Sequence, residues 1–193
     1  MAIREKTEDR GEEEKPKILE IKFKYEDYLH LPEDGKRYQI IGGELYVVPA
    51  PVPHHQKISR NIEFLLYSLV KERGLGEVFN APCDVVLSEE DVVQPDIFFI
   101  SKEREHIIGE KNIQGAPDLI IEILSPRTVE IDSKLKVKLY ERYGVKEFWL
   151  VEPGRKEVEV LVLAQQGYTS LGTFKESFAS PLLKIEVDLR GVF

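Results

Sequence analysis

The feature that most constrains the fold is an almost continuous apolar run near the middle of the chain. It spans residues 119–124 and is interrupted only by Glu122. Strands that are covered on both faces carry runs of this kind, whereas half-exposed strands alternate apolar with polar residues. The run is also far shorter than the ~20 residues that a membrane-spanning helix requires. We therefore predict a central strand of an α/β domain, with a carboxylate in its middle and no membrane span.

The spacing of apolar residues and glycines predicts the elements that precede this strand. A short helical segment is expected within residues 23–29. Gly42-Gly43 joins two strand-like runs, 38–41 and 45–48, which predicts an N-terminal β-hairpin. Apolar residues three and four positions apart then predict a long helix over 55–73.

A second helix is predicted after Ser125, because Ile131, Leu135 and Leu139 begin a four-residue apolar repeat. The remaining predicted strands are 77–80, 84–88, 92–100, 148–151, 158–163, 168–171 and 183–187. Pro95 within the third of these favours an edge position, a bulge or the start of a strand. The order of elements predicts an α/β fold with a mixed β-sheet flanked by helices.

Composition limits the partners and the compartment. Among 193 residues, 27 are basic and 35 acidic, so the net charge is -8 and any contact with phosphate must be local. Cys83 is the only cysteine, which excludes an internal disulfide and a metal cluster held by cysteines alone. No apolar leader follows Met1, which predicts a cytoplasmic protein. We expect a charged, flexible arm over residues 1–17 and a single domain over 18–193.

Two carboxylates occupy positions where strands usually carry apolar side chains. Asp96 precedes the apolar run 97–100, and Glu122 lies inside the central run. A buried charge is costly unless it is paired, and two carboxylates on adjacent strands, about 5 Å apart, repel each other. Mg²⁺ binds one or two carboxylates together with water and phosphate oxygens, so the pair predicts a site for Mg²⁺ or Mn²⁺. The alternative is a structural role, with each acid bound to backbone amides or to a lysine.

The helix after Ser125 supplies cations beside these acids. Lys136 and Lys138 flank opposite edges of its apolar stripe, so either lysine can reach the sheet. Tyr140 follows Lys136 by four residues and therefore lies on the same side of the helix, where it can hold the lysine in place. The spacing alone does not choose between the two lysines, and a solvated basic face is the alternative.

These residues resemble the PD-(D/E)XK nuclease superfamily, which places an Asp, a Glu or Asp, and a Lys around a metal. The chain is more closely similar to the Uma-two family of bacterial restriction endonucleases. The matching segments are Arg37-Tyr38 to Gly43-Glu44-Leu45, His55 to Ile58, Val92 to Asp96, Gly115 to Asp118, Glu122 to Pro126, Asp132 to Lys136 and Tyr140, and Gly144 to Trp149. The resemblance covers about residues 25–162 and implies a restriction-endonuclease-like fold.

The chain departs from the superfamily pattern at two places. Leu124 stands where the pattern has lysine, and the resemblance implies that this lysine has moved to the following helix, at Lys136. Gln39 stands where relatives often carry an acid, so the role of a hairpin acid would pass to Glu44 or disappear. A turn role is the alternative for Glu44. His55 is expected either to orient water or a phosphate or to serve only as a helix cap or surface group.

The carboxylate pair and the resemblance together predict metal-dependent hydrolysis of phosphodiester bonds in nucleic acid, with DNA the first expectation. The predicted site comprises the catalytic residues Asp96, Glu122 and Lys136, of which Asp96 and Glu122 bind the metal, and the accessory residues Glu44, His55 and Tyr140. One alternative is a catalytically inactive binding or assembly module. Another is an acid–base hydrolase using His55, for which the chain has no Gly-x-Ser-x-Gly nucleophile motif. Exposed hairpin edges also favour a homodimer.

Overall fold

The structure is a computed structural model that describes residues 21–125 and 131–193, so the arm predicted for residues 1–17 lies outside the described residues. The helices are α1 (Tyr25–Tyr28), α2 (Pro53–Arg73) and α3 (Lys136–Arg142), with a 3-10 helix at Lys102–Ile107 and a π-helical segment at Ile131–Leu135 directly before α3. The strands are β1 (Arg37–Ile41), β2 (Glu44–Val48), β3 (Gly76–Asn80), β4 (Val85–Ser88), β5 (Asp91–Val93), β6 (Ile97–Ser101), β7 (Ile113–Gln114), β8 (Leu119–Ile123), β9 (Glu147–Glu152), β10 (Glu157–Ala164), β11 (Gly167–Phe174), β12 (Ser177–Ser180) and β13 (Ile185–Asp188).

The strands form a mixed α/β architecture, which confirms the predicted fold class. One sheet has the order β11-β10-β9-β8-β6-β3, in which β8 and β9 are parallel and the other neighbours antiparallel. A second sheet has the order β2-β1-β5-β4-β7, and β12 pairs with β13. The predicted hairpin is β1–β2, and its turn at Gly42 and Gly43 has φ values of 62° and 82°, which favour glycine. No described helix is long and apolar enough to cross a membrane.

The strand predicted over 92–100 is wrong as a single element. The chain leaves the hairpin sheet after β5 and enters the six-stranded sheet at β6. Pro95 lies in the gap between the two strands, where its missing N–H costs no ladder hydrogen bond. The division matters because it leaves Asp96 at the point where the chain crosses from one sheet to the other.

Strand β8 is the central strand that its sequence predicts. Leu119, Ile121 and Ile123 pack into one apolar cluster together with buried residues of α2. Ile120 packs into a second cluster on the opposite face, together with buried residues of α3. Since alternate side chains of a strand point to opposite faces, Glu122 follows Ile120 to the α3 face of the sheet.

The helix predicted after Ser125 differs in its phase. Leu135, expected in the apolar stripe, is 40% exposed, whereas Lys136 is only 3% exposed. A π-helical segment hydrogen-bonds from residue i to i+5, so it adds a residue to the turn and shifts the face that follows. The shift turns Lys136 towards the sheet and leaves Lys138 exposed.

Candidate active site

The register of β6 and β8 places the two predicted carboxylates across from each other. The strands are antiparallel, and Ile97 lies opposite Ile121. One step further along this register, Asp96 falls opposite Glu122. The pairing that the carboxylate prediction required is therefore the one that the fold adopts.

The Glu122 carboxylate is bound by two side chains of α3. Its Oε1 atom accepts hydrogen bonds from Lys136 Nζ at 2.8 Å and from Tyr140 Oη at 2.7 Å. Glu122 is 2% exposed and Tyr140 is fully buried. Lys136 and Tyr140 are four residues apart on one helical face, so α3 delivers a charge and a hydroxyl to the same oxygen.

The Asp96 carboxylate is bound by the backbone of β8 and by a side chain of α2. Its Oδ2 atom accepts a hydrogen bond from the backbone N–H of Ile123 at 2.9 Å and lies 3.1 Å from Nε2 of His55, in the first turn of α2. Burial raises the pKa of Asp96, but His55, the Ile123 N–H and the charge of Lys136 outweigh it, so the pKa lies below its usual value. Burial lowers the pKa of His55, but Asp96 raises it more. The two shifts favour a negatively charged Asp96 carboxylate beside a positively charged His55 ring.

These groups share one cleft of about 340 Å³. The cleft is lined by Arg37, Gln39, Val48, Pro49, Ala50, Pro51, Val52, His55, Gln94, Asp96, Glu122, Ile123, Ser125 and Lys136. A second cleft, of about 230 Å³, shares Arg37, Pro51, His55 and Asp96 with the first. A larger groove of about 480 Å³ lies between α2 and the C-terminal residues, but Asp188 and Arg190 in its lining pair with each other. Of these three, only the first cleft is lined by Asp96, Glu122 and Lys136 together.

Of the predicted site residues, Asp96, Glu122, Lys136 and His55 line the cleft, and Tyr140 lies behind Glu122. The structure does not bring Glu44 there: its side chain is exposed and accepts a hydrogen bond from Tyr46 Oη at 2.7 Å. His55 makes no capping hydrogen bond, since the residue that caps α2 is Val52.

The second Pro-Asp pair of the sequence has a different environment. Asp118 is fully buried, yet Lys146 Nζ lies 2.7 Å and an Arg104 nitrogen 3.2 Å from its Oδ1 atom, and Ser101 donates its backbone N–H to Oδ2 at 2.9 Å. Asp118 precedes β8, whereas the Asp96–Glu122 pair lies towards the C-terminal end of that strand. Lys146 and Arg104 therefore neutralise the charge of Asp118, and Asp118 does not line the candidate cleft.

Two polar residues of β1 line the cleft although the sequence predicted no role for them. Arg37 and Gln39 both line the cleft from β1, and residues two positions apart on a strand share a face. The available signal was a buried face of the hairpin that carries polar residues. Glu44 was predicted instead from the resemblance, because Gln39 stands where relatives often carry an acid.

The donor set fits a catalytic Mg²⁺ or Mn²⁺ ion rather than a closed metal site. Among the described side chains, no three His, Cys, Asp or Glu groups lie together as a metal-binding cluster. Asp96 and Glu122 nevertheless offer buried carboxylates to one cleft. Mg²⁺ usually takes one or two protein carboxylates and completes its shell with water and substrate phosphate, so two acids are sufficient.

Comparison with known proteins gives concordant findings. A family model described as "Uma2: Putative restriction endonuclease" matches residues 25–190. A solved structure described as "a putative nuclease belonging to DUF820 from Anabaena variabilis ATCC 29413" superposes with a TM-score of 0.73 at 22% identity, over 89% of this chain and 97% of that one. At this identity the likeness shows the fold alone. No curated protein matches the chain.

Proposed function

The chain belongs to the Uma2 family, described as "Putative restriction endonuclease", and from this premise we propose that it is a metal-dependent nuclease that hydrolyses phosphodiester bonds of nucleic acid, DNA first among them. The observation that carries the proposal is that Asp96, Glu122 and Lys136 line one cleft, although they come from the crossing before β6, from β8 and from α3. Buried acids opposed by a buried lysine are the residue types that phosphoryl transfer to water requires.

In this proposal Asp96 and Glu122 hold Mg²⁺ or Mn²⁺, which when bound polarises a phosphate and lowers the pKa of a water molecule. His55 and the Ile123 N–H fix the orientation of Asp96 through its Oδ2 atom. Lys136 presents a positive charge to the cleft, where it stabilises negative charge that develops on the phosphate. Tyr140 keeps the Glu122 carboxylate in place from behind.

The test is cleavage of a supercoiled plasmid and of a labelled single-stranded oligonucleotide, with Mg²⁺ or Mn²⁺. Asp96→Asn and Lys136→Ala should lose about 100-fold or more in rate, the usual effect of removing one electrostatic group from such a site. Two matched controls replace residues outside the site. Asp118→Asn changes the buried acid of the second Pro-Asp pair, and Lys138→Ala removes an exposed lysine of the same helix as Lys136. Equal rates for all four variants would exclude the proposed site.

A second candidate function, a nuclease-fold binding or assembly module without catalysis, rests on one observation. Lys136 Nζ lies 2.8 Å from Glu122, so that carboxylate has a counter-charge without any metal. Calorimetric titration with Mn²⁺ separates the two functions. Binding that disappears in Asp96→Asn supports the nuclease, and the absence of such binding supports the module.

We also propose that the protein pairs with a second copy. Strand β2 ends the hairpin sheet, and its Val47 is 56% exposed, so this edge is suited to pairing with an identical edge. Sedimentation velocity of the wild type and of Val47→Lys tests this assignment. A dimer that dissociates in Val47→Lys supports it, and a wild-type monomer at micromolar concentration contradicts it.

A further inference from the structure

The part of the cleft wall that β1 forms contains the amide side chain of Gln39. Gln39 is 2% exposed and lines the cleft, yet among the described residues its side chain makes no hydrogen bond. The amide therefore borders the cleft with its hydrogen-bonding capacity unused by the described side chains and backbone. An unpaired amide that borders a cleft therefore points to a ligand that completes its hydrogen bonds.

The same wall contains an arginine that pairs with none of the nearby acids. Arg37 Nε is buried without a hydrogen-bond partner, and no ion pair to its guanidinium occurs within residues 21–125 and 131–193. Asp96, which lines the same cleft, is instead bound to His55. Arg37 is half-buried. It lines both clefts, and Pro51, His55 and Asp96 also line both. A cation is thus placed where the two clefts meet, beside the proposed metal ligand.

Both groups come from one strand and offer the same chemistry. The guanidinium is a donor only, with a planar fork that matches two oxygens of a phosphate, and an amide NH₂ adds one further donor. Lys136 of α3 also lines the cleft, so Arg37 adds a second cationic side chain to a lining that contains Asp96 and Glu122. An anion with several acceptor oxygens satisfies this wall, whereas a neutral or cationic ligand leaves Arg37 without a counter-charge.

We propose that Arg37 and Gln39 bind the substrate phosphate, Arg37 through two oxygens and Gln39 through its NH₂ group. The proposal rests on the proposed function, which supplies a phosphodiester as the ligand. Because Arg37 borders both clefts, the nucleosides on either side of that phosphate extend into clefts of about 340 and 230 Å³. The hairpin that carries β1 is therefore part of the substrate-binding surface.

The test measures binding without turnover. A fluorescein-labelled 12-nucleotide DNA strand is titrated with protein in Ca²⁺, and anisotropy gives Kd at several salt concentrations. Arg37→Gln should raise Kd about 10-fold and reduce the slope of log Kd against log salt by about 0.7, the value for one phosphate contact on a single strand. The matched control is Lys36→Gln, which removes a neighbouring charge that is paired with Asp34 at 2.6 Å and should leave Kd within about twofold.

Two further variants separate the roles of charge and geometry. Gln39→Leu should raise Kd several-fold without changing the salt slope, because no charge is lost. Arg37→Lys should keep the slope but bind several-fold more weakly, since an ammonium group cannot bind two oxygens in a planar fork. The circular dichroism spectrum of every variant must match that of the wild type. If Arg37→Gln does not fold, the Kd of Arg37→Lys serves as the test of the arginine contact.

The outcomes distinguish this inference from the proposed function. If the wild type cleaves nucleic acid but Arg37→Gln and Gln39→Leu bind like the wild type, the phosphate-binding wall is wrong and the nuclease stands. If both variants bind more weakly but the wild type never cleaves, the wall stands and the catalytic proposal fails. A wild type that neither binds nor cleaves overturns both.

Discussion

Lys136 and Glu122 form an ion pair of 2.8 Å in which each side chain is at most 4% exposed. Removal of one partner from such a pair leaves an uncompensated buried charge and costs about 3–5 kcal/mol, whereas replacing both with apolar residues is often neutral. We therefore expect Lys136→Met to lower the free energy of unfolding by about that amount. Addition of Glu122→Leu should recover part of the loss, because it removes the unpaired carboxylate but also the acceptor of the buried Tyr140 hydroxyl, and it should not recover activity.

Urea denaturation of the two single variants and the double variant measures this coupling. If the double variant is as unstable as the sum of the single ones, the pair is not coupled as the structure indicates. Lys138→Met is the control, because that side chain is exposed and its replacement should change stability by less than about 0.5 kcal/mol.

Tyr140 is expected to act as a positioning residue. Its hydroxyl donates to Glu122 Oε1 at 2.7 Å, so Tyr140→Phe should release one constraint on the carboxylate. Partners of this kind typically contribute 10- to 100-fold to metal affinity or activity, so we expect kcat to fall at least 10-fold while KM for the oligonucleotide stays within twofold. The matched control is Tyr168→Phe, which removes a hydrogen bond to the Val145 carbonyl but should leave kcat unchanged.

Asp118 gives a prediction for the pH dependence of stability. Burial raises its pKa, but Lys146, the Ser101 N–H and Arg104 outweigh burial, so the folded-state pKa lies below the unfolded value of about 4. A lowered folded pKa stabilises the protein above the unfolded pKa, and the contribution is lost as pH falls towards the folded value. Asp118→Asn should therefore be less stable than the wild type by about 1–3 kcal/mol at pH 7, with a smaller difference below pH 4.

Denaturation midpoints of the two proteins between pH 3 and pH 7 test this. A difference that stays constant over the whole range would show that the ionised carboxylate is not the stabilising form. Activity per folded molecule should be the same in both proteins, because Asp118 does not line the candidate cleft.

Local pattern is enough to predict the central strand and the acids within it. The alternation along β8 predicts that Glu122 and Ile120 lie on the same face of the sheet. The structure agrees, because a strand that is covered on both sides must point alternate side chains to opposite faces. The opposition of Asp96 and Glu122 needs the pairing of β6 with β8, which no local pattern specifies. The sequence therefore predicts that Asp96 and Glu122 lie opposite each other only on the condition that these two strands pair.

Other parts of the site depend on features that leave little trace in the sequence. A straight α-helical projection gives Lys136 and Lys138 equal access to the sheet, and the π-helical segment before α3 removes that equality. Gln39 and the segment from Pro49 to Val52 line the cleft together, although they are about ten residues apart in the sequence. Strand β12 leaves little signal because Phe178 is its only large apolar residue, and its other buried residue, Ser180, donates Oγ to Glu147 instead of adding to an apolar pattern.

The burial of the site predicts which form of nucleic acid it cleaves. Asp96, Glu122 and Lys136 are 9%, 2% and 3% exposed, at the bottom of a cleft of about 340 Å³. The phosphates of an intact duplex are carried on a wide, stiff helix that a cleft of this size does not admit, so a duplex must first unpair and unstack locally, which costs a few kcal/mol. A single strand enters without that cost, so kcat/KM for a single strand should exceed that for a blunt duplex of the same sequence by at least about 10-fold.

Three substrates and a small-molecule control make this prediction decisive. One labelled sequence is offered as a single strand, as a blunt duplex and as a duplex with a single-stranded end, and the third should be cut in or next to its unpaired segment. Bis(4-nitrophenyl) phosphate, which has no partner strand, reports whether the site is active at all. Equal kcat/KM for the single strand and the duplex, with the small diester also cleaved, would mean that the wall formed by Pro49 to Val52 opens to admit a duplex.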